Sequence, residues 1–362
     1  YLLENYDQFT NIGQHLSEIK DIERFSRKII LKQLTPSNLV TLYQTIINIK
    51  TIYNETNSLD RLNDYLIDQN KLNYHVILEN CQLITDEISR VINIEIAQNI
   101  NTMNFEKNFF NRGIHQSIDN EERKFLESID KIKCIKNFYD NILIKTEKKS
   151  KTTDYVKIHT TAADIGLNVT IKRSKVLEFE LKKDSILENI ELSYVSSYDG
   201  ETKTFLFNTK QFTFMKSTAS NVSINNSQIK ECCINYNHCK EDLKKVLYNV
   251  YIEFIIKMQV YDDQLKNISE YISIIDVLYN NVHMINKYNY CKPKIVDSKK
   301  SFFKGTKIRH CLIEHIQTNE IYVTNDISLH NKQLGILLYG TNAVGKTSFI
   351  RSIGINVIMA QA

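Results

Sequence analysis

The sequence predicts a mainly α-helical chain with a β-rich module inserted between two long helices, followed by the opening part of an α/β domain. Three observations carry that expectation. The 362 residues include only two prolines, Pro36 and Pro293, and nine glycines, so little interrupts a helix. The hydrophobic period shifts from three-to-four to two between residues 155 and about 223, and then shifts back. Near the end of the chain an apolar run at 336–338 leads through a glycine-bracketed loop into a further helical pattern.

Residues 1–115 alternate apolar and polar positions at helical spacing and read as a helical core domain, with a loop signal at LTPSNL, where Thr35 precedes Pro36 and Ser37 is placed to cap the next helix. Residues 116–154 read as an outgoing helix from about 118 to 149, with Phe125, Ile129, Ile132, Ile135 and Phe138 on one stripe. Residues 155–226 contain YVKIHT, GLNVTIKR, VLEFELKK and KTFLFNTKQFTFMK, alternating segments rich in Val, Ile, Phe and Thr that read as strands. Helical spacing resumes over 227–287, where Leu243, Leu247, Val250, Phe254 and their successors run on to Val282 without a breaker, predicting a helix roughly 60 Å long. The two helices resemble arms that run out and back with a module at their tip. In residues 288–362, IRHCLIEHI, EIYVTNDISL and LGILLYG read as strands.

Composition excludes less than it permits. A net charge of +4 and a pI near 8.5 allow a nucleic-acid partner without requiring one. Seven cysteines without regular spacing, and no leader-like apolar stretch at the start, point to an intracellular reducing compartment. No run approaches the ~20 apolar residues of a membrane span, so no membrane partner is expected. In CCINYNHC, Cys232, Cys233, His238 and Cys239 would not converge on a metal from one continuous helix, and read as packed thiols. Starting at Tyr1 and ending at Ala362 inside an apolar helical pattern, the chain reads as an internal fragment of a larger protein.

The sharpest chemical signal is LLYGTNAVGKTSFIRSIG. Gly340, Gly345, Lys346 and Thr347 match G-x-x-x-x-G-K-[ST]. Gly345 lets the backbone turn its N–H groups around phosphate oxygens, and the following helix start adds unpaired donors and a positive dipole end. Lys346 is placed to reach the β- and γ-phosphates, and the Thr347 hydroxyl to ligate Mg2+. The loop therefore predicts ATP and Mg2+ as cofactors, bound over Gly340, Thr341, Asn342, Ala343, Val344, Gly345, Lys346, Thr347 and Ser348. Turnover also needs an acidic Mg2+ partner and a positioned water, and no acidic strand follows the loop. This stretch alone is expected to hold nucleotide without hydrolysing it.

With those residues in view, the sequence resembles the MutS family of mismatch-repair ATPases, whose loop reads roughly G-P-N-M-G-G-K-S-T. Asn342 occupies the family's Asn position, while Thr341, Ala343 and Val344 depart from its commonest residues. The wording is most similar to the branch found in giant viruses and octocoral mitochondria. IRHCLIE, with Arg309 and His310, is similar to the family's G-R-H-P-x-x-E, Ile308 and Cys311 replacing its Gly and Pro. Tyr322 matches the aromatic that stacks on adenine and Val323 its neighbour. Asp21, Glu23 and Arg24 look like the D-[LI]-E-R of the family's core domain, and IIDVL before NYCKP looks like the end of its returning lever.

The resemblance covers nearly the whole chain and implies a core, an outgoing lever, a clamp, a returning lever and the start of a P-loop ATPase domain. It implies a homo- or heterodimer with another MutS-type subunit that hydrolyses ATP and closes on double-stranded DNA, mismatched or otherwise distorted. The N-terminal mismatch-reading domain with its Phe-x-Glu, the acidic Mg2+ strand and the dimer signature loop are not among these residues, so mismatch specificity is carried by the resemblance alone. Lys172, Arg173 and Lys175 are candidates for DNA backbone phosphates, with an ordinary solvated β surface as the equal competitor, because nearby carboxylates nearly balance the lysines. His310 reads either as a nucleotide contact or as a strand-end residue satisfied by backbone. Rival functions are a MutS-related ATPase for recombination control or branched DNA, and a nucleotide-binding scaffold without turnover. A chromosome-maintenance ATPase with a coiled-coil arm fits less well, because its P-loop precedes the coil.

Overall fold

Side-chain caps set where two of the N-terminal helices begin. After α1 (Tyr6–Thr10) and α2 (Gly13–Glu18), α3 (Ile22–Ile30) starts at Asp21, whose carboxylate accepts the Arg24 N–H at 2.8 Å. The helix α4 (Pro36–Thr56) starts at Thr35, whose hydroxyl accepts from the Asn38 N–H at 3.3 Å, with Pro36 in the first turn where its missing donor costs nothing. The cap is thus Thr35 rather than the expected Ser37. The computed structural model describes residues 1–70, 74–147, 154–160, 165–316, 321–330 and 332–361, which form two units, Tyr1–Tyr279 and Asn280–Ala362.

In the first unit α4 is the central post. Leu39, Leu42, Ile46, Ile49 and Ile52 are fully buried along it, where it packs on α2 and on α6 (Tyr74–Val91), which follows α5 (Asp60–Asn70). A short α7 (Ile94–Ala97) leads to the 32-residue α8 (Gln116–Glu147), the predicted outgoing helix; its expected last residues, Lys148 and Lys149, lie outside the described residues.

The inserted module is β-rich, as expected, but carries one helix the sequence reading missed. Strands β1 (Lys157–Thr160) and β2 (Ile165–Thr170) precede α9 (Ile171–Leu181). The hairpin of β3 (Asn189–Val195) and β4 (Thr202–Asn208) follows, and then β5 (Thr213–Lys216) and β6 (Asn221–Asn225). The four-stranded sheet has the order β1-β2-β6-β5 and is antiparallel throughout. VLEFELKK, expected as a strand, is helix because it satisfies both periods. Burial falls on Ser174, Leu177 and Leu181, and Glu178–Lys182 and Glu180–Lys183 pair at 2.7 Å one turn apart, a spacing only a helix provides. Buried Asp140 of α8 fixes the strands' entry by accepting the Tyr155 and Val156 N–H groups at 2.9 and 2.7 Å.

The returning segment is two helices rather than one. The 32-residue α10 (Ser227–Met258) packs antiparallel to α8, Phe125 meeting Tyr236 at 5.4 Å and Lys131 lying beside Cys232. A 3-10 turn, Gln259–Tyr261, then separates it from α11 (Asp262–Tyr288). The break has visible partners: the Gln259 amide donates to the Ile29 and Ile30 carbonyls at the end of α3, and Asp262 accepts from the Ser26 hydroxyl. Around the break the helices are anchored in the core. The Tyr251 ring meets Phe105 and Phe109 edge-on at 5.4 Å and its hydroxyl donates to the Leu34 carbonyl at 3.0 Å.

The second unit contains β7 (Phe303–Ile308), α12 (Cys311–Ile316), β8 (Asn325–Leu329) and α13 (Lys346–Gln361). β7 and β8 are antiparallel with a bulge between Gly305 and Ile308, where a Cβ on Gly305 would strike the Ile308 side chain. Of the expected strand IRHCLIEHI only Ile308 lies in a strand; of EIYVTNDISL, Glu320 lies outside the described residues and the rest is strand only from Asn325. LGILLYG makes no ladder among the described residues, and Leu334, Leu337 and Tyr339 are strongly exposed. Among the described residues no helix is long and apolar enough to cross a membrane.

Candidate nucleotide-binding site

The loop between LGILLYG and α13 is shaped by three residues with positive φ: Gly340 at 156°, Ala343 at 64° and Gly345 at 88°. Glycine adopts such angles freely. Ala343 does not, and an L-residue in the left-handed region costs roughly 1–2 kcal/mol, strain of the kind that collects at functional loops. Sequence reading missed this, since an alanine carries no turn signal of its own.

Gly345 serves as the residue before α13, its carbonyl accepting the Phe349 N–H at 2.9 Å. The N–H groups of Lys346, Thr347 and Ser348 precede that first helical bond and have no intrahelical acceptor, so they and the helix dipole form a ready anion site. Lys346 is half-buried and its ammonium lies in the loop, donating to the Gly340 carbonyl at 2.8 Å and to the Thr341 carbonyl. Asn342, Val344 and Thr347 are exposed, and Ser348 is half-buried. Backbone donors, a cation and an exposed hydroxyl fit a polyphosphate with a hard divalent cation, the hydroxyl supplying one oxygen ligand. The stretch 340–348 contains no carboxylate of its own.

The flanking residues are tied to the same unit. His310 is buried and heads α12, its Nδ1 accepting the Ile313 N–H at 3.4 Å, which is the backbone-satisfied arrangement. Arg309 donates to Glu314 at 2.9 Å and to the carbonyls of Tyr288 and Asn289 at 2.9 and 3.2 Å. Tyr322 is half-buried and Val323 exposed, on the irregular segment before β8. On the other side of Arg309, Asn356 of α13 donates to the Arg309 carbonyl at 2.9 Å.

In the first unit, the structure separates the basic residues of the module by what they touch. Lys172, Arg173 and Lys175 lie in the first two turns of α9 rather than on a strand, a correction that puts Lys172 and Lys175 on one exposed face. Arg173 instead lies over the Tyr155 ring, 4.1 Å from its centroid. Lys182 and Lys183 pair with Glu178 and Glu180, Lys203 with Glu127 and Asp199, and Lys210 donates to the Leu181 and Lys183 carbonyls at the end of α9. Cys232, Cys233 and Cys239 lie along α10, and burial raises the pKa of Cys232 and Cys239. Among the described residues, no three His, Cys, Asp or Glu side chains form a metal-holding group.

No protein-family model matches the chain. Curated relatives do. A mutS homolog of Acanthamoeba polyphaga mimivirus is 23% identical over 397 residues, covering 98% of this chain and 34% of the relative. The DNA mismatch repair protein MutS of Fusobacterium nucleatum is 23% identical over 350 residues, with 97% and 33% coverage. The chain is MutS-like over nearly its whole length. A mitochondrial mutS homolog of the octocoral Sarcophyton glaucum is 26% identical over 187 residues, 46% of the MutS-like chain, so giant-virus and octocoral relatives both occur among the matches. The MutS-like chain spans about a third of the length of the first two relatives.

Proposed function

We propose that these residues form the core, levers, clamp and first part of the ATPase domain of a DNA mismatch-repair ATPase that works as a dimer. In this reading ATP and Mg2+ bind at 340–348, and the long helices carry that event to a module that grips double-stranded DNA at or near a mismatch. The observation that carries it is the joint one at the loop: a backbone turned at Gly345, N–H groups of the α13 start that helix geometry leaves without intrahelical acceptors, and the Lys346 ammonium held inside. Relatives named for DNA mismatch repair along the same length supply the biological context.

The residues divide the work. Lys346 neutralises phosphate charge and the α13 start donates backbone hydrogen bonds to it. Thr347 would hold Mg2+, which draws charge from the transferring phosphoryl group when bound. Tyr322 supplies an aromatic face for adenine, with Val323 beside it. Lys172 and Lys175 contact DNA phosphates, and Arg173 holds α9 in place on Tyr155.

Replacing Lys346 by Ala in the full-length protein is expected to lower ATP turnover about a hundredfold or more, the scale on which lost charge stabilisation usually registers. Turnover at the parental rate in that variant would refute the assignment.

A further inference from the structure

One set of contacts in the second unit joins the nucleotide loop's helix to the end of the returning helix, and neither the motif nor the relatives assign it a role. Asn356 lies roughly three turns into α13. Its amide donates to the Arg309 carbonyl at 2.9 Å and to the Ser352 carbonyl of its own helix at 2.8 Å, so the bond to Arg309 is fixed to the α13 backbone. Ser352 beneath it is buried and bonded to the Phe349 carbonyl at 2.7 Å, in the first turn after the loop.

From the same Arg309, the guanidinium reaches back to the carbonyls of Tyr288 and Asn289, the last residue of α11 and the residue after it. Asn289 has φ 53°, the left-handed turn that ends a helix. The last carbonyls of a helix lack intrahelical donors and carry its negative dipole end, so a guanidinium is the complementary group there. Its planar fork bonds two carbonyls and Glu314 at once, which a lysine cannot do. The other Glu314 oxygen, Oε2, is buried with no hydrogen-bond partner among the described residues, so pulling Arg309 away would leave a partly buried carboxylate without its cation.

We propose that Arg309 and Asn356 are positioning residues that pass movement of the phosphate-loop helix to the end of the lever. This rests on the nucleotide and DNA reading above. When nucleotide draws the α13 start toward its phosphates, Asn356 shifts the Arg309 backbone, and the guanidinium shifts the α11 terminus with it. The residues touch no reacting atom, so their loss acts on coupling rather than on nucleotide affinity.

The test uses the full-length protein and two variants, Arg309→Lys, which keeps charge but loses the fork, and Asn356→Ala, which keeps the helix. A fluorescent ATP analogue measures nucleotide affinity, and stopped-flow anisotropy follows ATP-triggered release of a labelled mismatched duplex. Both variants are expected to bind nucleotide within about threefold of the parent while release slows about tenfold or more, within the usual range of coupling energies. Parental release rates in nucleotide-saturated variants would overturn the inference while leaving the nucleotide assignment intact. A parent protein that neither binds ATP nor responds to it would instead overturn the underlying reading. Should a variant fail to fold, hydrogen exchange on the parent decides: ATP is expected to change protection at the amides of 286–292, and unchanged protection there at saturation refutes the relay.

Discussion

Lys346, Gly345 and Thr347 show how much chemistry a few adjacent residues can hold. Each role follows from residue type: a long cation that folds into the loop, a residue at positive φ, and an exposed hydroxyl at the helix start. Ala343 is the exception, a side chain at φ 64° where glycine would sit without strain. Ala343→Gly should therefore leave the loop's hydrogen bonds in place and stabilise the folded state by up to about 1 kcal/mol, less the extra entropy that glycine gives the unfolded chain, as read by urea unfolding. A drop of more than about 1 kcal/mol in that variant would show that the strain assignment is wrong. Thiols offer a second residue-scale check. Burial pushes Cys81 up to about 12, whereas Cys291 is exposed. Alkylation of the native protein near pH 8 is expected to label Cys291 quickly and to leave Cys81 unmodified until unfolding, because only the thiolate reacts. Peptide mass mapping over time reads both.

At the scale of elements, the long helices were the most legible part of the sequence. Stripes such as Phe125, Ile129 and Ile132 admit one period only, and a helix of 32 residues follows at α8. Three of the readings that failed show the physical reasons most plainly. VLEFELKK fits both periods, and the arbiter was the one-turn spacing of its Glu–Lys pairs. The returning helix has no glycine or proline at its break, because the partners there, Ser26 and the Ile29 and Ile30 carbonyls, lie more than two hundred residues earlier. LGILLYG has the composition of a strand, yet a strand needs neighbours, and none pairs with it among the described residues. Two predictions belong to this scale. Tyr251→Phe, which leaves the Leu34 carbonyl without its donor, should lower stability by about 1 kcal/mol in denaturant titration. Lys172→Glu with Lys175→Glu in the full-length protein should weaken DNA binding at low salt and make its salt slope shallower by roughly two, about one for each phosphate that a lysine no longer neutralises. Lys182→Gln, at a lysine already paired with Glu178, is the matched control and should change neither.

For the molecule as a whole, the order of helices, β-rich module and helices was readable because each part carries its own period. What no local pattern could reveal is connection. The bonds from Asn356 to Arg309 and from Arg309 to Tyr288 join residues spread over the second unit, and only folding brings them to 2.9 Å. In the proposed function, nucleotide at 340–348 controls the grip on DNA. The most direct measurement is the anisotropy of a labelled mismatched duplex bound to the full-length protein, followed as ATP and Mg2+ are added to the parent and to Lys346→Ala. ATP is expected to change DNA affinity in the parent by about fivefold or more, in the range typical of coupled sites, and to leave the variant's affinity unchanged. An identical response in both, or no response in a parent shown to be saturated with nucleotide, would contradict it.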